Sequence, residues 1–146
     1  MEIIENGVII ENIVVKMDMD YETVMKLLED YIYIKDSCGY IVIKKQEFYG
    51  LKGTCTIYFQ ENGIRLISIE IDWSMNKLVD EHGDLINIDE AIKIIAQTSI
   101  DELTQNMGEA IEEYKFGNKV FKSKGLYIIT SIVKTGDMYS VIVRKA

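Results

Sequence analysis

Between Thr54 and Trp73 the apolar residues fall on every second position: Cys55, Ile57 and Phe59, then Ile67, Ile69, Ile71 and Trp73. Alternation of this kind marks half-buried strands, because successive side chains leave a strand on opposite faces. Asn62-Gly63 separates the two runs and is a strong hairpin signal. A two-residue turn at Asn62-Gly63 would set Phe59 against Leu66 and throw Ile67, Ile69 and Ile71 to the side opposite Ile57 and Phe59. A three-residue loop, Glu61-Asn62-Gly63 with Gly63 left-handed, shifts the pairing by one and gathers the apolar set on one face. Thr54, Thr56, Tyr58, Ser68, Glu70 and Asp72 then point the other way.

The same patterning predicts elements along the rest of the chain. Residues 2–15 alternate loosely and turn at Asn6-Gly7, as a short hairpin or bent strand would. Tyr21, Val24, Met25, Leu28, Tyr31 and Ile32 recur at helical spacing behind Asp18 or Asp20 as a cap, which predicts a helix over 20–31. Strands over 32–35 and 40–44 flank Asp36-Ser37-Cys38-Gly39. Residues 46–53 read as a connecting loop, whose Phe48 and Tyr49 either mark a contact surface or fold back over a sheet edge. After the central hairpin, Ser74 is placed to cap a short helix ending at Gly83. Asn87 with Glu90 opens a helix carrying Ile88, Ala91, Ile92 and Ile95, and Ser99 with Glu102 opens another over 100–114. Strands over 119–122, 126–134 and 138–145 close the chain, the last two joined at Gly136-Asp137. Residues 126–133 are apolar at both parities, which predicts a central strand covered on each side.

The resulting expectation is a single α+β domain over 1–146. Its antiparallel strands form one large or two smaller sheets, with helices 20–31 and 100–114 packed on one face. Segments 20–73 and 99–145 share the order helix, strand, hairpin, so a pseudo-repeat is one reading and recurrence of a common arrangement the other. In outline this order resembles the tandem helix-and-sheet build of the β-lactamase inhibitory proteins, a secreted family whose signal peptide and disulfides have no counterpart in this sequence.

Composition narrows the picture. At 146 residues and 48% hydrophobic content the chain can build one core. No apolar run approaches the roughly 18 to 20 residues of a spanning helix, and the first residues do not read as a secretory signal, so a cytoplasmic protein without membrane contact is expected. Cys38 and Cys55 are too few for a disulfide framework. The net charge of −8 is unevenly spread: residues 1–114 hold 23 acidic and 9 basic side chains, residues 115–146 hold 1 acidic and 7 basic. Either the basic end neutralises acidic helices within the fold, or the acidic surface steers a basic partner and repels nucleic acid. Lys115, Lys119, Lys122 and Lys124, with Phe116 and Phe121 between them, are where an anion would be sought.

Chemistry is sparse. His82, the sole histidine, stands between Asp80 and Asp84, and these three are the candidate metal ligands. They lack the three or four nitrogen or sulfur ligands of a zinc site, and polarity at a helix end accounts for them equally well. No nucleotide-binding loop or nucleophile signature is present, so no catalytic or cofactor-binding residue is assigned. The function expected is therefore a non-enzymatic, acidic protein-binding module of the immunity or antitoxin kind, covering a basic partner. Tyr58, Glu70, Asp72, Phe48 and Tyr49 are its candidate contact residues. The alternative is a small-molecule-binding or enzymatic domain with a pocket between sheet and helices near Trp73 and His82.

Overall fold

A computed structural model describes residues 1–37, 39–71, 78–132 and 138–146. The chain opens with a three-stranded meander, β1 (Glu2–Ile4), β2 (Gly7–Ile10) and β3 (Ile13–Lys16), in which the hairpin expected at Asn6-Gly7 joins β1 to β2 and a second turn adds β3. A short helix, α1 (Tyr21–Leu27), follows, started by the Asp20 carboxylate accepting from Thr23 N at 2.8 Å, and a 3-10 turn extends it over Glu29–Tyr31. Then come β4 (Ile34–Asp36), β5 (Tyr40–Phe48), β6 (Leu51–Gln60) and β7 (Gly63–Ile71), each antiparallel to the next. The second half begins with α2 (Ile88–Met107) and continues through β8 (Glu112–Glu113), β9 (Lys119–Ser123), β10 (Leu126–Ile132) and β11 (Tyr139–Lys145). The α+β class with antiparallel sheets is thus realised as a three-stranded and an eight-stranded sheet, the latter in the order β4-β5-β6-β7-β11-β10-β9-β8.

That order has a simple cause. Each half is a helix followed by a four-strand meander, and the last strands of the two meanders pair, Glu70↔Ser140 through Ile67↔Val143. The residues that the large sheet gives to the main buried cluster, among them Ile41, Ile57, Ile67, Val143, Ile128 and Phe121, sit at registers that share one face, while Val120 is buried on the other. They join Val8, Ile10 and Val15 of the small sheet, Val24 of α1, and Ile92, Ile95, Ile100 and Leu103 of α2 in one buried cluster. Each such side chain contributes about 1.5–3 kcal/mol when fully removed from water, so this cluster is the main source of stability.

The central hairpin keeps the expected long-range register, with Tyr58↔Leu66, Ile57↔Ile67 and Cys55↔Ile69. It reaches that register differently. Gln60↔Gly63 closes the turn, and one extra residue, Arg65, between Ile64 and Leu66 supplies the one-residue shift as a bulge. Gly63 has φ 123°, and its amide neighbour Ile64 N donates to Met17 O at 2.9 Å, pinning the hairpin against the end of β3.

Four expectations are corrected. Residues 46–53 are not a loop: β5 continues to Phe48 after a bulge, Tyr49-Gly50 turns with φ 42° and 81°, and β6 starts at Leu51. Positive φ at both central residues is what a tight hairpin with the native strand twist requires. The two helices expected around Ser99 are one, because Ile95, Ala96, Ile100 and Leu103 continue a single buried stripe through it; Ser99 itself is buried, and α2 stops at Gly108 (φ 84°) rather than near Tyr114. Residues 78–87 form a loop in place of a helix ending at Gly83, closed by a Val79↔Leu85 bridge, while Ser74 lies outside the described residues. Finally, β10 is buried on one face only: Leu126 and Ile128 are in the core, whereas Tyr127 and Ile129 are half-exposed. Gly136-Asp137 and Cys38 also lie outside the described residues.

Gly53, read from sequence as a loop residue, is a close-approach position in β6. A Cβ there would collide with the Glu70 carbonyl oxygen across the β6–β7 ladder, whereas one at Gly39 would meet nothing within 4 Å. We expect Gly53→Ala to cost about 2 kcal/mol or more in urea unfolding and Gly39→Ala to stay within about 0.5 kcal/mol. Equal effects at the two positions would contradict the β6–β7 packing described.

Candidate functional site

Because one parity of each strand fills the core, the other parity builds a second face on the eight-stranded sheet. Register sets its residues in rows. Tyr40 opposes Tyr58, Tyr58 opposes Leu66, Arg144 lies one step beyond the Ile67↔Val143 pair, and Tyr127 sits between Arg144 and Lys122. The next row runs Ile34, Val42, Thr56, Ser68, Ile142, Ile129. Neighbours along these rows shield Thr56 and Ser68, which are 9% and 6% exposed, while Tyr40, Val42, Tyr58, Leu66, Tyr127 and Ile142 remain half-exposed. None of those six packs against the buried cluster, and each keeps part of its surface in solvent.

Aromatic rings and cations dominate the polar character of this face. Lys44 Nζ stands 3.7 Å above the Tyr33 ring, the Arg65 guanidinium is 5.7 Å from the Tyr58 ring, and Arg144 and Lys122 lie 5.7 and 5.9 Å from the Tyr127 ring. Tyr40 and Tyr58 meet at 6.2 Å between centroids. Among the described residues none of these four cations comes within 4 Å of a carboxylate; the ion pair found there, His82 with Glu81 at 3.5 Å, is elsewhere and exposed. Among the described residues, neither Lys122 nor Arg144 of the basic end pairs directly with an acidic side chain of the helices. Tyr114 donates its hydroxyl to Glu112, a contact that pushes the Tyr114 phenol above its usual range.

The residues singled out from sequence are scattered. Tyr58 and Glu70 stand on the uncovered face, Glu70 between Thr54 of β6 and Ser140 of β11. Asp72 lies outside the described residues, as does Trp73. Phe48 is fully buried and so is withdrawn from any contact surface, and Tyr49 packs edge-on against it at 4.7 Å while its hydroxyl accepts from Ile3 N at 3.2 Å. Asp80 Oδ1 accepts from the backbone amides of His82 and Asp84 at 2.8 and 3.0 Å, so it shapes the loop and does not converge with His82 on a common point. Among the described residues no three or more His, Cys, Asp or Glu side chains are grouped to hold a metal. The lysines of the proposed anion patch diverge: Lys122 is on the uncovered face, Lys119 faces α2 beside Lys93 and Gln97, and Lys124 Nζ donates to Ile3 O at 3.4 Å. Sequence reasoning missed Tyr40, Leu66, Tyr127, Ile142 and Arg144. Tyr127 and Ile129 were visible as the second apolar parity of 126–133, and only their half-exposure was not.

Two buried groups link the core to pH. Burial pushes the Cys55 thiol up to about 12, and burial likewise raises the Tyr139 phenol, although the Ser99 hydroxyl nearby pulls it slightly back. The Tyr139 and Ser99 hydroxyls are both buried without a partner in hydrogen-bond geometry. Each titrating group is neutral when protonated and has a folded pKa above its unfolded one. Its contribution is complete below the unfolded pKa and is lost as pH rises toward the folded value. For Cys55 the window opens near 9.0 and extends to about 12, with a slope of about 1.4 kcal/mol per pH unit. The urea midpoint is expected to fall steadily above that lower limit, and Cys55→Ala to flatten the fall; an unchanged slope in that variant would remove Cys55 as its source.

The chain matches no protein-family model, no curated protein and no solved structure.

Proposed function

We propose that this chain is a non-enzymatic protein-binding module, of the immunity or antitoxin kind, that docks through the uncovered face of its eight-stranded sheet. The observation that carries the reading is that face: rows of tyrosine and aliphatic side chains across several strands, held outside the core. Seven strand spacings make the sheet about 34 Å wide, and two or three rows of side chains give the face roughly 500–700 Å². That approaches the roughly 800 Å² each partner contributes to a standard protein interface and far exceeds what a small molecule covers. Edge pairing is a poorer route, because β4 and β8, the outermost strands, have three and two residues. In this reading the helices and the small sheet support the face from the core side, and the two helix-and-meander halves are a repeat whose second unit begins with α2. The net charge of −8 steers a basic partner from a distance.

The competing reading, a small-molecule site, has one feature in its favour. A shallow hollow of about 310 Å³ between α2 and the β9–β10 end is lined by Lys93, Gln97, Lys119 and Ile132. It is an open groove and holds no convergent catalytic pair.

Affinity capture from the native host at low and high salt, with identification of the retained protein, tests the docking reading. Ile142→Glu and Leu66→Glu place a charge on the uncovered face without touching the core, so both variants are expected to fold and to bind the identified partner at least about tenfold more weakly. Full binding by both variants would rule the face out. Loss of binding only on substituting Lys93 or Lys119 would move the site to the hollow beside α2.

A further inference from the structure

The uncovered face does not share the sign of the whole molecule. Among the described residues, Lys44, Lys52, Arg65, Lys122 and Arg144 stand at registers of that face with Asp36, Glu47, Glu70 and Glu112, one cation in excess, although the chain as a whole carries a net charge of −8. Two of these cations meet at the β9–β11 end, where Tyr127 has Lys122 as its cross-strand neighbour on one side and Arg144 on the other. Both cations lie over that one ring, at 5.9 and 5.7 Å, and neither has a carboxylate within 4 Å among the described residues. Glu112 is one row away, at the register of Val120, and already accepts from Tyr114.

Resting on the docking reading above, we propose that the partner seats acidic side chains between Lys122 and Arg144, over Tyr127. The reason is desolvation. A protein covering this face takes water from both cations, and that desolvation remains costly even after relaxation. The tyrosine ring, although its attraction for a cation strengthens once water is gone, returns only part of the loss. A partner without carboxylates there leaves two uncompensated charges under the interface. One with them gains charge-assisted hydrogen bonds, bidentate in the case of Arg144. Long-range field and local contact thus ask for different things: the field favours a basic partner on approach, and the Tyr127 row selects an acidic patch on that partner at contact. Backbone phosphate is the competing anion, and the negative charge of the whole chain works against a polyanion of that kind.

Two measurements decide this. In the first, amide and arginine side-chain NMR signals of the full chain are followed while poly-L-glutamate, poly-L-lysine or a single-stranded oligothymidylate is added. Poly-L-glutamate is expected to shift Lys122, Tyr127 and Arg144 saturably, with the shifts lost in Lys122→Ala/Arg144→Ala; poly-L-lysine is expected to leave them unmoved. No shift in that row, or tighter binding there by the oligonucleotide, overturns the proposal. In the second, K122E/R144E is compared with Ile142→Glu for binding the partner identified by capture. Reversal of both charges should weaken binding at least about tenfold. If Ile142→Glu abolishes binding and charge reversal does not weaken it, the docking face stands and the acidic contact falls. If neither variant weakens binding, the docking face itself has failed.

Discussion

Pairing of β7 with β11 is the contact on which the molecule's architecture depends. Without it, β4–β7 and β8–β11 would be two separate meanders, each with an apolar wall and an exposed strand at its end. Running Ile67 and Ile69 beside Val143 and Val141 joins the two walls into one, so a single buried cluster can draw on both halves, both helices and the N-terminal sheet. The same pairing sets Ser68 beside Ile142 and Glu70 beside Ser140, which makes the opposite face continuous as well. Core and candidate docking surface are therefore two consequences of one register, and a slip of one residue would exchange them.

Local pattern made much of this readable and left the decisive pairing out. Alternation at Cys55, Ile57, Ile67 and Ile69 fixed which side of the central hairpin is buried, even though the residue that produces the register is the bulge at Arg65 and not a longer loop. Helical spacing after Asp20 and after Asn87 placed both helices at their starts. Errors arose where a short-range signal sat inside a longer-range constraint. Ser99-x-x-Glu102 is a plausible cap in isolation, yet Ser99 occupies a core position in an apolar stripe that runs from Ala91 to Leu103, and burial of the stripe outweighs the cap. Gly50 and Gly53 suggested a loop, but Gly50 supplies a positive φ in a tight turn and Gly53 makes room for the backbone of β7.

The candidate surface was legible only in part for a related reason. Tyr58 and Glu70 follow from the hairpin alone, because both lie opposite its apolar set. Tyr127, Ile142 and Arg144 become their neighbours only through a strand pair separated by about half the chain, and no local period encodes that. The second apolar parity of β10 looked like burial from two sides. Apolar residues on an exposed sheet face and apolar residues under a second layer give the same sequence pattern, so the distinction rests on where the helices pack.

An uncovered sheet face must be tolerable in water before it is useful to a partner. Here cations stand beside the rings of Tyr33, Tyr58 and Tyr127, and they discourage the stacking of one such face on another copy, since like charges would meet. Thr56 and Ser68 add polar groups at the centre, where an unbroken aliphatic surface would be most adhesive. The arrangement therefore disfavours association of this face with itself. In the docking proposed above, aliphatic and aromatic side chains would supply the contact area, the cations beside the rings would set which surface can cover them, and the acidic remainder of the chain would govern approach from a distance.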